Sequence, residues 1–156
     1  MEIERKFTVK CLPDHLEQYP VKHLEQAYLN TDPVIRIRRE DDTYYMTYKG
    51  SGMLAREEYN LSLNRESYAH LLPKCDGNVI SKKRYLIPWK HYTIELDIFA
   101  PPFAPLIIAE VEFATEKEAE SFMPPAWFSE DVTCDPHYHN SFLSKVYDPA
   151  AQLRDM

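Results

Sequence analysis

Glycine is scarce: only Gly50, Gly52 and Gly77 occur in 156 residues. Neither a P-loop nor a dinucleotide-binding fingerprint can be written with them, because both need clustered glycines ahead of a helix. Any phosphate site must therefore be built from side chains. Cysteine is also sparse. Cys11, Cys75 and Cys134 are widely spaced and odd in number, the pattern of reduced thiols in a cytoplasmic protein rather than of a disulfide framework. No apolar run approaches the roughly 20 residues that cross a bilayer. The acidic start lacks the basic-then-apolar layout of a secretory segment. An excess of positive charge is missing too. The net charge is −7, which argues against broad nucleic-acid or anionic-membrane binding.

What is present points to a folded β protein. The chain is 44% hydrophobic and 13% aromatic, enough for one domain over residues 1–156 with a real core. Alternation of polar and apolar residues predicts strands over 2–9, 25–30, 34–40, 43–49, 55–63, 79–87, 92–99 and 106–114. Turn residues such as Asn30-Thr31-Asp32-Pro33 and Lys49-Gly50-Ser51-Gly52 separate them. Short helices are expected over 65–73 after Asn64, over 116–123 after Thr115, and from Asp135-Pro136 to about Tyr147. The fold class is mainly β (α+β). Most successive strands are close enough for antiparallel pairing, and eight of them suit a closed barrel with helices packed outside.

One face of each strand is charged, and the signs are sorted by strand. Glu2, Glu4 and Lys6 share a face of the first segment, since side chains repeat every second residue. Arg36 and Arg38 come from 34–40, and Lys49 follows Tyr45 and Thr47 in 43–49. Segment 55–63 offers Arg56 and Glu58. Lys82 and Arg84 come from 79–87, Glu95 and Asp97 from 92–99, and Glu110 and Glu112 from 106–114. A solubilising surface would intersperse the signs. Turned inward, the cations suit phosphoryl oxygens, and the carboxylates suit a hard cation such as Mg²⁺ or Mn²⁺. The implied ligand is a metal-complexed, multi-phosphate small molecule.

In this order the segments resemble the CYTH, or triphosphate tunnel metalloenzyme, superfamily. Glu2-Ile3-Glu4-Arg5-Lys6 is similar to its E-x-E-x-K signature. Arg36-Ile37-Arg38, Thr47-Tyr48-Lys49, Arg56-Glu57-Glu58-Tyr59, Lys82-Lys83-Arg84-Tyr85, Glu95-Leu96-Asp97 and Glu110-Val111-Glu112-Phe113 follow in the family's order. Asp131-Val132-Thr133 and Tyr138-His139-Asn140 resemble the C-terminal region of short bacterial members. The resemblance implies an eight-stranded tunnel and hydrolysis of inorganic tripolyphosphate. It makes Glu2, Glu4, Glu110 and Glu112 metal ligands, helped by Asp97, Glu95 and Glu58. Lys6, Arg36, Arg38, Lys49, Arg56, Lys82 and Arg84 become phosphate ligands. Asn60 stands where an acidic residue often occurs, and His139 where a Lys is common.

Tyr28 and Lys6 are expected to face inward from neighbouring strands. A second metal could activate the water; the other option is a protein base, and since a nearby ammonium favours the phenolate form, the Lys6–Tyr28 pair could help activate it. The alternative is that Tyr28 lines the barrel and only hydrogen-bonds phosphate. Cys134, His137 and His139 are read as structural or surface residues, because their spacing is no familiar zinc pattern. Three rival functions remain beside the inorganic triphosphatase. They are a nucleotide or thiamine-triphosphate triphosphatase, a class IV adenylyl cyclase, and a non-catalytic polyphosphate-binding module. A cyclase needs a base pocket, and no segment supplies one. The sequence is compatible with a monomer or a homodimer.

Overall fold

The computed structural model describes all 156 residues. Ten strands form one antiparallel sheet: β1 (Glu2–Val9), β2 (Val21–Thr31), β3 (Val34–Glu40), β4 (Thr43–Lys49), β5 (Ala55–Arg56), β6 (Glu58–Leu63), β7 (Asp76–Trp89), β8 (Tyr92–Phe99), β9 (Ile107–Glu112) and β10 (Phe128–Asp131). Their order is β10-β1-β9-β8-β7-β2-β3-β4-β6, with β5 returning to pair β1. The sheet thus curls into a barrel. Its seam is narrow, because β1 and β5 share only Glu2↔Arg56 and Ile3↔Ala55. The single expected strand over 55–63 is broken at Glu57, where the chain passes from pairing β1 to pairing β4.

Alternation along each strand separates two environments. Outward residues Ile3, Phe7, Ile94, Leu96 and Val111 pack under Ala119 and Phe122, contributed by α2 (Glu116–Ser121) and its end. Thr115 caps α2 by accepting from the Glu118 amide, as the spacing predicts. Arg5, also outward, is structural: it donates to Asp131 and to the Ala119 and Phe122 carbonyls. On the other side α1 (Arg65–Leu71) begins at an Asn64–Ser67 capping box. Its Tyr68 stacks on Tyr44 and donates to Glu25.

Inward positions change character along the barrel. On β9 the run Ile108, Glu110, Glu112 passes from fully buried through buried to exposed. Tyr28, Val34, Ile80, Phe99 and Ile108, on inward positions of five strands, pack with Phe103 and Leu143. These residues form an apolar floor, so the lumen is blind at that end.

The C-terminal region departs from expectation. No single helix runs from Asp135 to Tyr147. A 3-10 turn at Pro136–Tyr138 is followed by α3 (Asn140–Leu143) and a separate α4 (Pro149–Asp155). His139 interrupts the run with extended backbone, φ −84° and ψ 139°, while its ring binds the Thr133 carbonyl. Beyond α3, Asn78 captures the carbonyls of Leu143 and Val146, at 3.1 and 2.8 Å. The Val146 carbonyl is thereby bonded outside the helix, while that of Leu143 also accepts from the Val146 amide in a tighter i to i+3 turn. The three cysteines are free thiols, and no helix is long and apolar enough to cross a membrane.

Candidate active site

The blind lumen contains a cavity of about 110 Å³. Its wall includes Glu2, Glu4 and Lys6 from β1, Tyr28 from β2, and Arg36 and Arg38 from β3. Tyr45 and Lys49 of β4, Arg56, Glu58 and Asn60 add a second wall, and Arg84 and Glu110 a third. His139, Asn140 and Ser141 close it from the C-terminal segment.

The sorting of signs by strand has a direct consequence in register. Several opposite charges become cross-strand neighbours, Arg84↔Asp97, Lys6↔Glu110, Lys49↔Glu58 and Glu2↔Arg56, while Glu4↔Glu112 and Glu95↔Glu110 bring carboxyls together. Most of the lumen charge is neutralised within the protein. Lys49 Nζ lies 2.9 Å from Glu2 and 3.3 Å from Glu58. Lys6 Nζ is 3.5 Å from Glu110 and also donates to the Tyr138 carbonyl. Arg84 binds Asp97 through Nε and Nη2, at 2.7 and 2.8 Å, and reaches Glu95 at 3.0 Å. Burial alone would raise the Asp97 carboxyl, but Arg84 and Lys82 hold it below the ordinary aspartate value. Glu110 is likewise held well down by Lys6 and Arg84 against its burial. Burial brings the Lys82 ammonium down to about 8, with Asp97 opposing the shift.

Two groups escape this pairing. Arg36 is buried, and its Nε has no hydrogen-bond partner. Glu4 is the other. The lysines able to neutralise it are committed, Lys6 to Glu110 and Lys49 to Glu2 and Glu58. Burial, reinforced by the Glu110 charge, pushes its carboxyl up to about 8. Glu2 is also raised, first by burial and then by its hydrogen bond with Glu58.

Not every candidate lines the cavity. Lys82 and Asp97 form a fully buried pair behind it, 2.7 Å apart, with Lys82 also touching Asn140. Glu112 is exposed at the mouth, where it shares a shallow depression with Glu95, His91 and Tyr92. No three His, Cys, Asp or Glu side chains converge as a ready-made metal cage. The expectation that Lys6 and Tyr28 sit on neighbouring strands is corrected. β9, β8 and β7 separate β1 from β2 on one side, and β5/β6, β4 and β3 on the other. The two residues therefore oppose each other across the lumen. Tyr28 hydrogen-bonds Gln26, not Lys6.

His139 is corrected as well, being part of the cavity rather than surface. Burial and the nearby Lys6 lower its imidazole to about 4, so at neutral pH it is uncharged. Because a carbonyl accepts only, its Nε2 carries the proton toward Thr133. Sequence reasoning gave Ser141 no role in the wall and quoted Asn140 only within the motif Tyr138-His139-Asn140. Only their neighbour His139 gave a signal.

Comparison with known proteins agrees with this geometry. The CYTH domain pattern matches residues 1–133. An inorganic triphosphatase of Nitrosomonas europaea is 40% identical over 149 residues, covering 92% of this chain and 96% of that protein. An inorganic triphosphatase of Acetivibrio thermocellus is 32% identical over 147 residues, covering 92% and 93%. A crystal structure of an inorganic triphosphatase superposes with a TM-score of 0.70 at 36% identity, over 94% of this chain and 95% of the other. The barrel, its inward charges and the matched length lead to one conclusion: the chain belongs to the CYTH domain family.

Proposed function

We propose that the protein hydrolyses inorganic tripolyphosphate to pyrophosphate and phosphate within the lumen, with Mg²⁺ or Mn²⁺ bound there. One observation carries the reading. A buried guanidinium with an unpartnered Nε, Arg36, shares the cavity with Glu4, a carboxyl that no cation of the protein pairs and that burial raises to about 8. Buried charge without a partner costs several kcal/mol (about 3–5 in mutational series). An anion relieves Arg36, a cation displaces the proton that Glu4 holds near neutral pH, and a metal–triphosphate complex supplies both. The two matched relatives, described as inorganic triphosphatases, point the same way.

The donor chemistry fits a hard divalent cation. Glu4 would hold it, with Glu2 and Glu110 as further oxygen donors and Glu58 beside Glu2. Once bound, such a cation neutralises phosphoryl charge and orients the chain. The protein's own groups bind and align. Arg36, Arg38, Lys49, Arg56 and Lys6 offer donors to phosphoryl oxygens, with forked guanidinium geometry at the arginines. Arg84 is held by Asp97 and Glu95, so it acts as fixed positive charge in the wall. The apolar floor excludes water from one end and stops a chain from passing through. Tyr28 and Lys6 stand on opposite walls, placed to contact different oxygens of one ligand.

The cavity gives little support to a nucleotide. Apart from Tyr28, Val34 and Tyr45 its wall is polar or charged, with no apolar slot for a base. The test is phosphate release from tripolyphosphate, ATP, thiamine triphosphate and pyrophosphate, each with Mg²⁺ or Mn²⁺. Turnover of tripolyphosphate well above the others is expected. Preference for ATP would overturn the substrate assignment.

A further inference from the structure

Gln26 is fully buried on β2, two residues before Tyr28 and on the same inward face. Its Oε1 accepts from Arg38 twice, from Nε at 2.9 Å and from Nη2 at 2.5 Å. Its Nε2 donates to the Tyr28 hydroxyl at 3.2 Å. These bonds are directional in a way that fixes protons. Arg has donors and no acceptor, so the amide must present its oxygen to Arg38. The nitrogen then faces Tyr28 and can only donate. The phenol oxygen is used as an acceptor, and no protein group accepts the phenolic proton. Tyr28 lines the cavity, so that proton points into the lumen.

We infer that Gln26 is a positioning residue which, locked by Arg38, turns the Tyr28 hydroxyl to donate into the lumen, onto a phosphoryl oxygen of the ligand. The inference rests on reading the cavity as a phosphate site. It joins a cation that binds phosphate directly to a hydroxyl on the next strand. Arg38 is itself steadied from the other side by Glu40 and the Tyr45 hydroxyl, each at 3.5 Å. The relay is thus anchored in β3 and β4 before it reaches Tyr28.

A double-mutant cycle on Gln26→Glu and Tyr28→Phe tests this. Glutamate keeps the size and still accepts from Arg38. It cannot donate to Tyr28, and instead accepts the phenolic proton and turns it out of the lumen. Its added charge weakens polyanion binding by itself, and the Tyr28→Phe background measures that part separately. With kcat/KM for tripolyphosphate as readout, Gln26→Glu is expected to cost about tenfold more beside Tyr28 than beside Phe. Its thermal midpoint should stay near that of the unaltered protein. Equal costs in both backgrounds, within about twofold, would overturn the inference, since a merely structural Gln26 acts without regard to the hydroxyl. If Gln26→Glu does not fold, Gln26→Met enters the same cycle. If the unaltered protein releases no phosphate, the hydrolase reading fails. The cycle is then read as tripolyphosphate Kd by calorimetry, with the same two outcomes for the relay.

Discussion

Arg36 is the residue at which the proposed ligand role runs against the stability of the empty fold. Its guanidinium is buried without a full set of partners, so removal of the charge leaves no orphan behind. Arg36→Met is expected to leave thermal stability unchanged or raise it by about 1 kcal/mol. The same change should weaken tripolyphosphate binding by about tenfold or more, because a charge-assisted phosphate contact is lost. Melting curves and calorimetry on one preparation check both halves. His139 predicts a pH effect. Its folded pKa of about 4 lies below the ordinary histidine value near 6.5, so the unfolded chain binds more protons between those values. Stability therefore falls as pH drops from about 6.5 to 4. His139→Gln should flatten that part of the urea-unfolding profile, and an unchanged slope would remove His139 as its source.

At the scale of elements, the C-terminal segment is held by local backbone chemistry. Gly77 has φ +71°, and a Cβ there would sit 1.9 Å from the Ser144 carbonyl oxygen. Gly77→Ala is expected to cost about 2 kcal/mol or more through that clash and the positive φ. Asn78→Ala, which strips the Val146 carbonyl of its donor and the Leu143 carbonyl of one of two, should cost about 1–3 kcal/mol. Both should speed amide exchange over residues 140–146. The strands were largely legible because the period of two is strong where one face is charged: 34–40, 43–49 and 92–99 agree end to end. Where the pattern weakens, reading fails. The start of β2 at Val21-Lys22-His23-Leu24 and the short β10 are held by pairing partners distant in sequence. The start signal Asp135-Pro136 suggested one helix to about Tyr147, and nothing local disclosed that Asn78 would bind the carbonyls of Leu143 and Val146.

Across the whole molecule, strand-by-strand sorting of charge yields a barrel that neutralises itself in register and leaves few groups open. The sequence revealed which residues face inward, but not which are consumed. Lys82 and Asp97 look equivalent to Lys6 and Glu4 in a list of inward charges. Strand order alone makes them partners behind the wall. The relay through Gln26 was invisible for the same reason, since an uncharged residue among arginines carries no signal until β2 and β3 pair. Closure is the weak point of the barrel. Amides at the two-residue β1–β5 seam are expected to exchange faster than those of the eight-pair β7–β8 ladder. Equal protection would mean that the seam is closed by more than the pairing shown. Glu4 and the cation wall are proposed to bind and cleave a metal-complexed triphosphate together. The most direct measurement is initial-rate phosphate release from tripolyphosphate as Mg²⁺ or Mn²⁺ is titrated, for the unaltered protein and Glu4→Gln. Saturable metal-dependent release is expected, falling by about a hundredfold or more in Glu4→Gln. Release that is independent of metal, or undiminished in Glu4→Gln, would contradict it.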